Sequence, residues 1–315
     1  MASNLDAYAR QYNDMVHDEI ALQQRVSLLR GTVEEETLRG KYHLMVAPTT
    51  VSAMTAKTSQ HTPLTFTETS WAWRRFTASK YFDTKAFTTE EQIRTALVDL
   101  GPTLAKQQAY AAMRKIDDII ITALAGNIEI GTTEDSFTTT AADFSAHTGP
   151  ATGGNGLSLD GKDAPWTGLN KVLQAFAEDE VDVMSQPRTL LCTWRFVEAL
   201  LSNGAAQPWW GYASEQAAQV IRSGMLGNIN GWNIIASNDA RLGEGATGTN
   251  VNDHDYAYAY VKNAVTMAVA EEPKVELRTP QQTNTVDSYV SLVTLDMGAG
   301  RKIDRGVKRI DWDFS

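Results

Sequence analysis

The chain has 315 residues, 43% of them hydrophobic, and a formal net charge of −10, so it has core material for one large domain or two small ones. The acidic balance excludes a protein whose main work is gripping phosphate backbones, which takes clustered Lys and Arg, although an acid-lined container could hold DNA without sticking to it. A single cysteine, Cys192, excludes an internal disulfide and any multi-cysteine metal site, and fits a reducing cytoplasm.

Residues 3–29 place Leu5, Ala9, Tyr12, Val16 and Ile20 at helical spacing and predict an amphipathic helix stopped by Gly31. No apolar signal core stands at the N-terminus. The acidic run Glu34-Glu35-Glu36 reads as a solvated face, with a basic partner as the alternative.

Residues 48–87 read as an extended arm. Ten are Thr, seven are aromatic (Phe66, Trp71, Trp73, Phe76, Tyr81, Phe82 and Phe87), and the larger aliphatics are Val51, Met54 and Leu64. Thr and aromatic rings suit pleated strands, and His61-Thr62-Pro63 supplies a turn between two of them. A lone two-stranded ribbon is marginal in water. A long one with few internal partners is expected to bury its rings on a neighbouring subunit. Lys57, Arg74, Arg75, Lys80 and Lys85 make the arm basic; simple solubility of an exposed edge and docking onto an acidic neighbour both account for this.

Thr88-Thr89-Glu90-Glu91 has the composition of a helix start, with a break expected at Gly101-Pro102. Beyond it Ala105, Ala109, Ala112, Met113, Ile116, Ile120, Ala123 and Leu124 recur at spacings of three and four, and Gly126-Asn127 ends the pattern. The most apolar run, 116–130, is interrupted by Asp117, Asp118, Asn127 and Glu129, so it is no membrane span. Residues 131–163 read as loop with short strands. Pro165 opens a helix with Trp166, Leu169, Val172, Leu173 and Phe176 on one face, and Asp179 and Asp182 beyond it read as exposed. Residues 188–192 form a buried strand in which Cys192 is a small apolar residue. Helices follow at 194–201 and 214–222, and a strand at 232–236. The C-terminal third is β: Tyr256, Tyr258 and Tyr260 alternate with small residues, as do Val265, Met267 and Val269, and 286–295 is a third such run. Gly298-Ala299-Gly300 is expected to turn the chain into a last strand, 306–312. The order predicts an α+β fold.

No catalytic, cofactor or metal residue emerges. Gly243-Glu-Gly-Ala-Thr-Gly248 matches the dinucleotide fingerprint in letters, but the polar stretch after it lacks the helix that would hold pyrophosphate. His17, His43, His61, His147 and His254 make no ligand pair, and Asn252-Asp253-His254-Asp255 lacks the glycine of a calcium loop. No Ser, Cys or Thr stands in a nucleophile elbow.

The order of landmarks resembles the major capsid proteins of tailed bacteriophages, the Hong Kong 97-type fold. HTPLTFTETSWAWRRFTASKYFDTKAF resembles that family's extended loop, AYAAMRKIDDIIITALAGN the end of its spine helix, and PWTGLNKVLQAFAEDEVDVMSQPRTLLCTWRFVEALL its axial domain. GMLGNINGWNIIASND and GAGRKIDRGVKRIDWDF resemble the late strand and the closing strands. The resemblance implies an N-terminal arm at 1–47, an extended β-hairpin loop at 48–87 and a peripheral domain with a long spine helix at 88–164. A mainly axial domain follows at 165–284, with closing strands at 285–315. It implies a non-enzymatic shell subunit that forms pentamers and hexamers of an icosahedral head, assembled in the host cytoplasm around non-specifically held double-stranded DNA. A portal at one vertex, a separate scaffolding protein and a decoration protein are the further partners, with no membrane. Trp71, Trp73, Arg74, Arg75, Phe76 and Lys80 of the loop, and Leu5, Tyr12, Val16 and Ile20 of the arm, are the expected inter-subunit contacts. The alternatives are an encapsulin-like compartment of the same fold, a cytosolic enzyme, and a minor virion or decoration protein.

Overall fold

The most periodic stretch of the sequence is the longest helix of the computed structural model, which describes residues 28–38, 40–48, 71–87, 100–133, 135–148, 154–160, 164–202, 228–229, 231–237, 242, 254–278 and 289–313. Among these the elements run β1 (Glu34–Thr37), β2 (Tyr42–Pro48), β3 (Trp71–Thr77), β4 (Ser79–Phe87), α1 (Leu100–Ala125), β5 (Ile128–Thr133), β6 (Ser136–Thr140), β7 (Gly156–Asp160), α2 (Ala164–Glu178), β8 (Arg188–Cys192), α3 (Trp194–Ser202), β9 (Asn228–Ile229), β10 (Trp232–Ala236), β11 (His254–Val261), β12 (Val265–Arg278), β13 (Tyr289–Arg301) and β14 (Val307–Asp313). The fold is α+β.

Three sheets organise the described residues. The first has the order β1-β12-β13-β4, and α1 lies on it. Ala109, Ala112, Ile116, Ile120 and Leu124 at helical spacing meet Val265 and Met267 of β12 and Val293, Leu295 and Met297 of β13. Each large side chain buried this way contributes about 1.5–3 kcal/mol. Gly101-Pro102, where a break is expected, stands at the beginning of the described helix, and residues 91–99 before it lie outside the described residues. At the other end the Gly126 N–H donates to Thr122 O, and Gly126-Asn127 closes the helix as its composition predicts.

The second sheet, β7-β14-β11-β8-β10-β9, has six strands and two apolar faces, as period-two alternation allows. Leu190 and Cys192 of β8 and Ala257 and Ala259 of β11 face Leu169, Val172, Phe176, Phe196 and Leu200 of α2 and α3. Leu191, Tyr258 and Tyr260 point the other way and join the α1 cluster. Cys192 is buried, and burial pushes its thiol well above the usual range. Helix α2 ends in a Schellman motif: Val181 N–H reaches Phe176 O and Glu180 N–H reaches Ala177 O, with Glu180 in the left-handed region at φ 56°.

The third sheet, β2-β3-β5-β6, divides the expected arm. Residues 71–77 form β3 and pair with β2 and β5, whereas 79–87 form β4, the edge strand against β13. The arm is therefore not a single ribbon without internal partners; the chain changes sheets at Ala78, and half of the stretch belongs to the α1 layer. Residues 49–70, including His61-Thr62-Pro63, lie outside the described residues. So do the N-terminal helix up to residue 27, the helix start at 88–91, residues 214–222 and the glycine motif at 243–248.

Two further expectations are corrected, and one stated alternative is met. Gly298 and Gly300 do not turn the chain: both lie within β13, and the turn comes later, at the 3-10 segment Asp304–Gly306. The glycines are needed because β3 crosses β13 there. A Cβ on Gly298 would stand 2.8 Å from Thr77 O, and one on Gly300 would stand 2.5 Å from the Phe76 ring. Asp179 is buried rather than exposed, paired with Lys308 of β14, whereas Asp182 is exposed as expected. Glu34 to Glu36 form a strand parallel to β12. Its acids meet bases of the same chain: Glu34 with Lys302, Glu35 with Arg30 and Glu36 with His43.

Candidate assembly interface

Strands β2 and β3 pair with residues directly opposite sharing a face. His43, opposite Phe76, and Met45, opposite Arg74, turn inward, where Met45 and Phe76 pack with Leu38, Ile128 and Ala268. Tyr42, Leu44 and Val46 lie opposite Thr77, Arg75 and Trp73 on the outward face, and Trp71 follows Trp73 at the period of two. That face is apolar and open: Tyr42 and Leu44 are each 44% exposed, Val46 38% and Trp71 54%. Single exposed apolar side chains need no explanation, but a contiguous set on one sheet face marks an interaction surface.

Of the residues singled out in the sequence, Trp71 and Trp73 stand on this face. Arg75 borders it: its guanidinium lies 4.5 Å from the Tyr42 ring centroid and 4.1 Å from that of Phe137, while Nε donates to Glu129 Oε2 at 2.5 Å. The stacked, paired guanidinium stiffens the joint between β3, β5 and β6. Arg74 faces inward, and its Nη2 donates to Asp304 Oδ2 at 2.6 Å. Asp304 also accepts from Arg301 Nε at 3.0 Å, and Arg301 Nη1 donates to Leu124 O at 2.8 Å, at the end of α1. Strand β3 is thereby tied to the helix C-terminus, where a cation is favourable. Burial alone would raise the Asp304 carboxyl, but the bonds and charges of Arg74 and then Arg301 outweigh it and hold it below the usual carboxylate range. Burial lowers the Arg301 guanidinium, against the pull of Asp304.

Phe76 is 8% exposed and packs inside its own chain. Lys80 lies in the first sheet and meets Glu271 at 3.2 Å on an exposed surface. Leu5, Tyr12, Val16 and Ile20 fall outside the described residues. Tyr42, Leu44 and Val46 were not singled out in the sequence, although their alternation with His43 and Met45 is a readable period-two signal. The involvement of Glu129, Phe137 and Asp304 comes from pairings distant in sequence and left no local trace. Among the described residues no group of three or more His, Cys, Asp or Glu could hold a metal ion, and no helix is long and apolar enough to cross a membrane.

The fold is that of tailed-phage capsid proteins. The chain is similar to the capsid of Ralstonia phage GP4 (TM-score 0.62, 13% identity, 90% of this chain and 87% of that one) and to the acid-stable capsid of Helicobacter pylori bacteriophage KHP30 (TM-score 0.62, 10% identity, 90% and 88%). It is also similar to a virus-like particle from Pyrococcus furiosus (TM-score 0.54, 10% identity, 96% and 99%). No curated protein sequence matches it. The family described as phage capsid protein matches residues 5–313. Carried by that match along nearly its whole length, and by a Hong Kong 97-type fold, the chain belongs to the phage capsid protein family.

Proposed function

We propose that the protein is the shell subunit of a tailed-phage head, closing as pentamers and hexamers into an icosahedral container for double-stranded DNA. The observation that carries this reading is the apolar outward face of β2 and β3, held at a fixed angle by Arg74, Asp304 and Arg301, on a chain of capsid fold. A rigidly rooted apolar face suits a heterologous contact, in which one patch of each copy meets a different patch of the next and the ring closes. Trp71, Trp73, Tyr42, Leu44 and Val46 form the centre of the contact, with Arg75 at its border, and Lys80 on the first sheet provides a separate contact. Arg74 and Phe76 act from behind by fixing the root. Leu5, Tyr12, Val16 and Ile20 of the N-terminal segment provide a second contact. The net charge of −10 supports a lumen that confines DNA without adhering to it. A portal, a separate scaffolding protein and a decoration protein are the further partners.

The second reading, a compartment of the same fold enclosing a protein cargo, is favoured by the likeness to the Pyrococcus furiosus virus-like particle over nearly the full length of both chains. Particles purified from the natural source separate the two. Nuclease-protected double-stranded DNA inside supports the phage head; a loaded enzyme with no protected nucleic acid overturns it.

A further inference from the structure

Arg188 opens β8 directly opposite Trp232 of β10 in a parallel ladder. It continues the face of Leu190 and Cys192, so a half-buried cation stands at the border of the core under α2 and α3. Its guanidinium carbon lies 5.5 Å from the Trp232 ring centroid, and Phe176 of α2 stacks on the same ring at 6.2 Å. Gly231 makes this approach possible. It lies in the left-handed region at φ 78°, and a Cβ there would collide with Arg188 Nη2.

The donors gathered here lack acceptors. Arg30, Arg74, Arg75 and Arg301 each meet a carboxylate of their own chain. Among the described residues Arg188 meets none, and neither does Lys262. The two cations are neighbours: Val261 stands opposite Arg188 in the ladder, and the Lys262 N–H donates to Pro187 O at 3.1 Å. Trp232 is 0% exposed, yet its Nε1 has no hydrogen-bond partner among the described residues. A buried donor without an acceptor is costly, and native structures keep few of them. Met184, in the loop that leads into Arg188, is 90% exposed. Met and Arg are enriched where chains meet.

We propose that Arg188, Lys262 and the Trp232 indole N–H form a carboxylate-binding site that takes an Asp or Glu side chain of a second copy of this chain. The inference rests on the shell reading above and names a contact separate from the β2–β3 face. The donors select the ligand. A carboxylate is planar, and its two oxygens match the guanidinium fork. One of them also accepts the indole N–H, and the Lys262 ammonium supplies a second positive charge. The Trp232 ring holds the guanidinium in place beforehand, which lowers the cost of ordering it on binding. The source of the ligand follows from charge. With 38 Asp and Glu against 28 Lys and Arg, every neighbouring copy carries an excess of carboxylates. Complementary charges fix register and exclude wrong partners more than they add affinity. That suits a subunit that must meet the same patch of its neighbour at each step of closure.

Carbodiimide coupling of particles assembled from mixed isotopically light and heavy subunits tests this, because the reagent joins an amine only to a carboxylate in contact with it. Wild-type particles are expected to yield a peptide linking Lys262 to an acidic residue of another chain. Arg188→Lys should add a link from position 188 to that same acidic residue. Arg188→Met keeps an apolar stem over Trp232; it should lower the yield of closed particles and leave the thermal midpoint of the unassembled subunit in place. Should that variant fail to fold, the wild-type coupling decides. Closed wild-type particles in which Lys262 forms no link, or links only within its own chain, overturn the site and leave the shell reading standing. Normal closure of folded Arg188→Met does the same. Lys262 that is shielded from acetylation only in DNA-filled particles would assign a phosphate ligand, and also overturns the proposal. A wild type that forms only small oligomers refutes the shell reading itself, and this contact with it.

Discussion

Replacing Gly300 with alanine probes the crossing of β3 over β13, on which the placement of the β2–β3 pair rests. The new Cβ would stand 2.5 Å from Phe76 Cδ1 and 3.0 Å from Cγ, well inside the normal carbon separation of about 3.5–4.0 Å. Phe76 is enclosed by Leu38, Met45, Ile128 and Ala268, so its ring has no open space to turn into. Overpacking of this kind should cost about 1–3 kcal/mol. Phe76→Ala alone should cost about 3–5 kcal/mol through the cavity it leaves. In the double variant the clash is gone, so the combined loss should fall short of the sum by about 1–3 kcal/mol. Urea denaturation of the unassembled subunit measures all four corners of the cycle, provided the m-values agree. Losses that add to within about 0.5 kcal/mol would refute the contact, and with it the crossing as the reason for the two glycines.

Trp71→Ala and Trp73→Ala should each leave the subunit's thermal midpoint nearly unchanged while lowering the yield of closed particles, with about 2 kcal/mol or more lost per truncated interfacial ring; sedimentation of assembly reactions measures this. Asp304→Asn should destabilise the subunit by about 1.5–3 kcal/mol, because the charged acceptor shared by Arg74 and Arg301 is gone. Its pH dependence has a definite sign. The folded pKa of Asp304 is depressed, so its contribution is complete above the unfolded value of about 3.9 and is lost as pH falls through the lower folded value. Denaturation midpoints compared at pH 7 and below pH ~4 should therefore converge for wild type and variant. Cys192, buried and with its thiol pKa pushed up, should resist thiol reagents in the native subunit and react fully once unfolded.

Elements written in local periodicity were legible in the sequence. The strand at Arg188–Cys192, the helix opened by Pro165 and the apolar stripe of α1 follow from spacing alone. Pairing was not legible. Nothing local distinguishes 71–77 from 79–87, since both are rich in aromatic and polar residues, yet they join different sheets on either side of Ala78. Asp179 read as exposed because its partner, Lys308, lies 129 residues away. Gly298 and Gly300 read as a turn because their function, close approach by Thr77 and Phe76, depends on a strand more than two hundred residues earlier. On the candidate interface, Trp71 and Trp73 were visible as unpartnered rings. Arg74 was visible only as a charge; its inward direction depends on Asp304.

The most direct test of the shell reading is electron cryomicroscopy of the assembled protein. Closed icosahedral particles in which Trp71, Trp73, Tyr42, Leu44 and Val46 are covered by a neighbouring subunit are the expected result. Discrete small oligomers, or shells that leave this face open to solvent, would contradict it.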